Sequence, residues 1–289
     1  MPTSSASLAT VRAALAAGCA ALTPSSASPR LDAELLLGHA LGRARSWLYA
    51  NPDAVCGPDT QTVYRALLTR RVAGQPLAQL VGHKEFWSLT FAVSEFTLTP
   101  RPETEGLVEQ ALCRLADPDD RSRVLELGTG TGAIAVALAT ERQALQLVAT
   151  DISAEALEVA RQNASRHAPG RIEFRAGDWF GALANAAPFD MIISNPPYIG
   201  AADTGLTDPE LQFEPAQALY SGKDGLRAIR HIIAQAPRWL QPRGWLLLEH
   251  GFDQAPAVSE LLRAAGFTEL SHHADLAGHP RISCARRGA

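Results

Sequence analysis

Lysine is nearly absent from this chain. Lys84 and Lys223 are the only two in 289 residues, so almost all of the positive charge is arginine. The net charge is −4, which excludes the global basic field that draws a protein onto nucleic acid. Cysteine is scarce too. Cys19, Cys56, Cys113 and Cys284 stand far apart, and no two form a C-x-x-C pair. That excludes a zinc knuckle and a dithiol redox motif. No apolar run reaches the length of a membrane span. The start, Met1-Pro2-Thr3-Ser4-Ser5, lacks a basic region and a long apolar core, so no secretory leader is expected and the cytoplasm is the expected compartment. A G-x-S-x-G elbow is missing, which argues against a Ser-His-Asp hydrolase. His272, His273 and His279 cluster without a matching acid or cysteine spacing. They are expected to be solvated loop histidines, and no metal is expected. There is neither an internal repeat nor a low-complexity tract.

What is present is ordinary for a globular protein: 46% apolar and 19% charged residues, in a chain long enough for one full α/β domain and a smaller one. The first part reads as helices. Leu8, Val11, Leu15, Cys19 and Leu22 recur at helical spacing. Ser28-Pro29 opens a second helix that Gly42 can close. Asp59 can cap a third, with Gly74 as its stop. Residues 1–80 are therefore expected as a small helical domain, either a structural cap or a surface that recruits a macromolecular substrate. From 81 to 100 the period changes to two. Leu89, Phe91 and Val93 alternate, as do Phe96 and Leu98, with Ser94-Glu95 between them, which predicts a linking hairpin. Residues 101–289 alternate strand and helix patterns, the mark of a mostly parallel sheet with helices on both faces. The longest loop, 199–225, follows a strand end and is expected to be functional.

Four stretches carry chemistry. Gly128-Thr129-Gly130-Thr131-Gly132 follows the strand Val124–Leu127 and precedes a helix, where glycines let the backbone turn and approach a ligand closely. Gly128-x-Gly130-x-x-Ala133 also satisfies the dinucleotide pattern, but the crowded G-x-G-x-G form is commoner around S-adenosylmethionine. Asp151 closes the next strand, where a carboxylate can accept two ribose hydroxyls, or serve only as an acid at a helix start. Asp178-Trp179 closes the third strand. The indole can stack on adenine and the carboxylate can accept its NH2, or the tryptophan can simply seal the sheet edge. The fourth strand, Phe189–Ile193, runs into Asn195-Pro196-Pro197-Tyr198. Two prolines forbid its continuation and fix a rigid corner at the carboxyl end of the strand, where open α/β sheets bind their ligands. Asn195 Oδ1 and the Pro196 carbonyl can each accept one N–H of a planar NH2 group, with Tyr198 packed against it. Density pushed back onto that nitrogen, and its aim at an electrophilic methyl, can drive transfer without a strong base. Arg101, beside Glu103 and Glu105, reads equally as a local ion pair or as part of a cleft.

Together these residues resemble the bacterial glutamine N5-methyltransferases that act on class 1 peptide chain release factors. The resemblance covers nearly the whole chain. It rests on Glu85-Phe86-Trp87-Ser88-Leu89, Pro100-Arg101-Pro102-Glu103-Thr104-Glu105, Leu125-Glu126-Leu127 with the glycine loop, Gly177-Asp178-Trp179, Asn195-Pro196-Pro197-Tyr198, Asp224-Gly225-Leu226 and the tail Asp275 to Arg281. Asp275-Leu276 stands where the family often has D-Y. Asn-Pro-Pro-Tyr alone also occurs in adenine N6-methyltransferases of DNA and RNA, and enzymes that methylate a ribosomal-protein glutamine share the catalytic part. The resemblance implies a seven-stranded class I methyltransferase sheet with S-adenosylmethionine as cofactor. It implies methyl transfer to the glutamine of a Gly-Gly-Gln tip. Gly128, Thr129, Gly130, Thr131, Gly132, Asp151, Trp179 and Asn195 would hold the cofactor. Asn195, Pro196, Pro197 and Tyr198 would hold the substrate amide, with Asn195, Pro196 and Tyr198 serving the reaction. The expected partner is the Gly-Gly-Gln domain of a release factor, with no direct nucleic acid, no membrane and a monomeric enzyme. The rivals are adenine N6 methylation, glutamine methylation of a ribosomal protein, and an inactive module that binds release factors or RNA.

Overall fold

The structure is a computed structural model, and it describes residues 9–115, 117, 119, 121–184, 186–201 and 209–289. Met1–Ser5, Leu8 and residues 202–208 of the long loop lie outside the described residues. The chain divides into two compact units. One is built from the chain up to Gly82 together with Pro209–Phe213, the other from His83 onward together with Glu214–Ala289.

The first unit contains five helices among its described residues: α1 (Val11–Leu22), α2 (Pro29–Leu41), α3 (Arg45–Ala50), α4 (Pro58–Val72) and α5 (Leu77–Val81). Their apolar faces meet around Leu15, Leu22, Leu36, Leu37, Leu48 and Leu67. Pro29 takes the first position of α2, where its missing N–H has no partner to lose, and Gly42 closes the helix at φ 63°. Pro58 does the same for α4 after an extended Gly57. Asp59 is therefore not the cap expected of it but an acid in the first turn. Helices α3 and α5 are too short for a periodic signal.

The second unit opens with a hairpin of β1 (His83–Phe86) and β2 (Leu89–Ala92). This shifts the expected hairpin toward the N-terminus. The turn is Trp87-Ser88, at φ 52° and 57°, a pair of left-handed residues that neither Gly nor Asn announces. It holds because the Trp87 N–H donates to Glu105 Oε1 at 2.8 Å and the indole N–H to Glu141 Oε1 at 2.8 Å. Phe96 to Leu98 form no strand; the Thr97 N–H turns back to Ser94 O.

There follow α6 (Glu105–Arg114), β3 (Arg123–Leu127), α7 (Ala133–Glu141), β4 (Gln146–Asp151), α8 (Ala154–His167), β5 (Ile172–Ala176), β6 (Phe189–Ser194), α9 (Ala216–Leu219), α10 (Arg227–Trp239), β7 (Leu240–Glu249), α11 (Ala255–Ala264), β8 (Phe267–Ala274) and β9 (Pro280–Arg287). The expected sheet is present: seven strands in the order β5-β4-β3-β6-β7-β9-β8, parallel except where β9 pairs with β7 and β8. Burial on both faces explains why Met191-Ile192-Ile193 of β6 reads as a continuous apolar run rather than an alternating one. Val124, Met191 and Ile193 pack with α6, α7 and the hairpin phenylalanines, and Leu125, Ile192 and Leu246 pack with α10 and α11. His272 and His273 lie on β8 rather than in a loop. His272 pairs with Ser259 Oγ at 2.7 Å and Ser283 Oγ at 3.0 Å, so only His279 fits a loop position. The order of strands reverses between the parallel neighbours β3 and β6, and that switch point opens a crevice at their carboxyl ends.

Candidate active site

The crevice is a cavity of about 540 Å³ in the second unit. Strand β3 delivers the glycine loop to its floor. Gly128, Gly130 and Gly132 all have positive φ, 68°, 54° and 80°, which an L side chain resists. A Cβ on Gly132 would meet Ala160 Cβ at 3.2 Å, so this glycine also lets α7 approach α8. Asp151, the last residue of β4, holds the loop from the side. Its Oδ2 accepts from the Gly130 N–H at 2.8 Å and its Oδ1 from the Ser153 N–H at 3.0 Å. The carboxylate still lines the cavity, with lone pairs left to accept hydroxyls. Trp179 lines it too, its ring 3.7 Å from where a Gly128 Cβ would stand, with His231 beside it at 6.4 Å between centroids. Asp178 is exposed at the same edge.

Glu126 lies beneath the loop. It is 3% exposed and accepts from Thr129 Oγ1 at 2.6 Å and from the Ala135 N–H at 3.1 Å. Burial pushes its carboxyl up to about 8, and the nearby Asp151 charge adds to the rise.

Strand β6 delivers the proline corner. Ser194 Oγ ties it to Leu127 O at 2.8 Å. Asn195 and Pro197 line the cavity, whereas Pro196 is buried and Tyr198 turns its hydroxyl behind the wall toward Glu249 Oε1 at 3.4 Å. The structure therefore brings Asn195, the glycine loop, Asp151 and Trp179 to one cavity. It places Pro196 and Tyr198 in the supporting layer at its edge. Asn195 Nδ2 donates to Thr104 Oγ1 at 3.1 Å, and that hydroxyl donates to Glu249 Oε2 at 2.8 Å. Among the described residues no donor is paired with Asn195 Oδ1, and the residue lines the cavity. Arg101 is both an ion-pair residue and part of the cleft: it lines the cavity and holds the distant Glu214 Oε2 at 2.8 Å, while the Thr99 N–H donates to Glu214 Oε1 at 3.1 Å.

Thr104, Glu249, Phe96 and His231 went unassigned from sequence. The one available signal was a lone acid, Glu249, directly after the apolar run Trp245–Leu248. Gly225 matters for shape: at φ 73°, a Cβ there would come within 2.1 Å of Tyr198 O.

A cavity of this size suits a nucleoside-sized ligand. The residues present fit S-adenosylmethionine: a glycine-rich backbone turn, a carboxylate beside it and an aromatic ring on the same wall. Fold and site together define a class I, S-adenosylmethionine-dependent methyltransferase. Comparison with known proteins narrows the class. The methyltransferase domain family matches residues 118–274, and the PrmC N-terminal domain family matches residues 13–82. A release factor glutamine methyltransferase of Xylella fastidiosa is 48% identical over 257 residues, covering 89% of this chain and 93% of that protein. The enzyme of the same description from Vibrio cholerae is 46% identical over 275 residues, covering 95% of this chain and 96% of its own. Among solved structures, the hMettl16 catalytic domain is similar with a TM-score of 0.56 at 14% identity, over 76% of this chain and 81% of that one, a likeness of fold alone. The chain belongs to the release factor glutamine methyltransferase family.

Proposed function

We propose that this protein methylates the side-chain amide nitrogen of the glutamine in the Gly-Gly-Gln tip of class 1 peptide chain release factors. When bound, S-adenosylmethionine supplies a methyl group on a positively charged sulfur. The backbone of Gly128–Gly132 would support it, Asp151 would accept its ribose hydroxyls and Trp179 would cover its adenine.

The observation that carries the reading is the state of Asn195. Its NH2 is committed to Thr104, so its oxygen is left for the cavity. An amide nitrogen is a poor nucleophile because its lone pair is delocalised. With one N–H accepted by Asn195 Oδ1 and the other by the Pro196 carbonyl, electron density returns to that nitrogen and the nitrogen is aimed. Pro197 would bound the flat group, with Tyr198 supporting the corner from behind. The N–C bond forms as the S–C bond breaks, and one amide proton is released to solvent.

The test uses methyl-labelled S-adenosylmethionine with four acceptors: a release factor, the same factor with its Gly-Gly-Gln glutamine replaced, adenine-containing DNA, and RNA. Label on the intact factor alone is the expected result. Label on nucleic acid would move the function to adenine methylation, which the net charge of −4 does not favour.

A further inference from the structure

Behind Asn195 runs a hydrogen-bonded chain whose direction is set by the ionised form of Glu249. Thr104 and Glu249 are only 5% and 1% exposed. A hydroxyl has one hydrogen and free lone pairs, and an ionised carboxylate only accepts. Facing Glu249 Oε2 at 2.8 Å, the Thr104 hydroxyl must donate to it. It then offers a lone pair to Asn195. Only the NH2 end of the amide can meet a lone pair, and the 3.1 Å contact is made by Nδ2. The Tyr198 hydroxyl reaches the other carboxylate oxygen at 3.4 Å and helps keep Glu249 from turning.

We propose that Thr104 and Glu249 are positioning residues that lock the Asn195 amide with its oxygen toward the cavity, so that the site accepts a substrate group that donates N–H. This inference rests on the reading that Asn195 receives the substrate amide. If the amide turned half a rotation, its NH2 would face the substrate NH2, donor against donor, and leave buried polar groups mispaired.

The chain is reversible in principle. Burial pushes the Glu249 carboxyl up to about 7. Arg281 from β9 and the hydroxyls of Thr104 and Tyr198 favour the ionised form, and Glu103 opposes it. Once protonated, Glu249 can donate to Thr104, and Thr104 can then donate to Asn195 Oδ1. That reverses the amide. Transfer should therefore fall as pH drops through about 7, although the glutamine amide itself does not titrate there.

The test compares wild type, T104V, T104S, E249Q and N195A for kcat against release factor, cofactor affinity and pH profile. T104V keeps the volume and loses the hydroxyl. Its kcat should fall by roughly one to two orders of magnitude, the consequence of an unlocked amide, with cofactor affinity unchanged. T104S restores the hydroxyl and should recover most of the rate. E249Q can accept from Thr104 through its oxygen and donate to Tyr198 through its nitrogen, so it should work at a rate that no longer depends on pH near 7. A merely structural role for these residues would leave the pH profile unmoved. Wild-type kcat in T104V, T104S as impaired as T104V, or an unchanged pH profile in E249Q would each overturn the proposal while glutamine methylation stands. Full activity in N195A would instead overturn the reading of Asn195 on which it rests.

Discussion

Single residues of this site were legible in the sequence when their chemistry was written into their neighbours. Gly128, Gly130 and Gly132 announce a backbone that must take positive φ, and all three do. Asn195 was visible because two prolines follow it. Thr104 and Glu249 were not visible as a pair. They lie 145 positions apart, and their 2.8 Å bond exists only because β7 brings its last residue beside the start of α6. Trp179 was read as a ring for adenine, and the structure puts it on the cavity wall. Trp179→Ala should weaken S-adenosylmethionine binding by about tenfold to a hundredfold, the worth of one base–aromatic stack. Equilibrium dialysis checks this. Because the tryptophan is assigned to the adenine and not to the substrate amide, kcat at saturating cofactor should change little. Unchanged affinity would leave Trp179 as the sheet-edge seal.

At the scale of elements, strands and long helices were legible and turns were less so. Strand β6 and helix α10 have apolar patterns that tertiary contacts reinforce rather than override. The hairpin was misplaced because its turn residues, Trp87 and Ser88, give no left-handed signal and are held by distant Glu105 and Glu141. The proline corner depends in the same non-local way on Gly225. A side chain there would meet both a positive φ and the Tyr198 carbonyl. Gly225→Ala should cost about 1–3 kcal/mol of stability and push the corner out of place. Transfer should therefore be lost even at temperatures where the variant is folded. Circular dichroism melting alongside a transfer assay measures both, and a folded, fully active variant would contradict this role. The pairing of Gln254 Nε2 with the same carbonyl, at 3.0 Å, shows how closely that oxygen is enclosed.

At the scale of the whole molecule, the alternation of strand and helix fixes a two-faced sheet, and composition agrees with it. What local patterns could not reveal is that Pro209–Phe213 belongs with the N-terminal helices, tied by Arg71 to Glu210 at 2.7 Å across 139 positions. Burial of two carboxyls also gives the protein a pH signature. The folded state holds Glu126 at about 8 and Glu249 at about 7, both above the ordinary carboxylate range. A raised folded-state value means the fold favours the protonated form. That stability is fully present below the ordinary range and is lost as pH rises toward those values. Cofactor-free protein should melt at lower temperature at about pH 8 than at about pH 5, because both carboxyls lose their protons across that window. Glu126→Gln should flatten the slope, and calorimetry across that range decides it; equal slopes would refute the assignment.

On this reading, a folded, cofactor-loaded protein transfers methyl only because Asn195 presents an acceptor to the glutamine N–H. The most direct measurement is single-turnover transfer to a release factor by Asn195→Ala at saturating S-adenosylmethionine, with cofactor binding measured on the same sample. The rate should fall by about two to three orders of magnitude, the loss expected when one preorganised hydrogen-bond partner is removed from a reacting centre, with cofactor binding largely kept. A rate within a few-fold of wild type would contradict it.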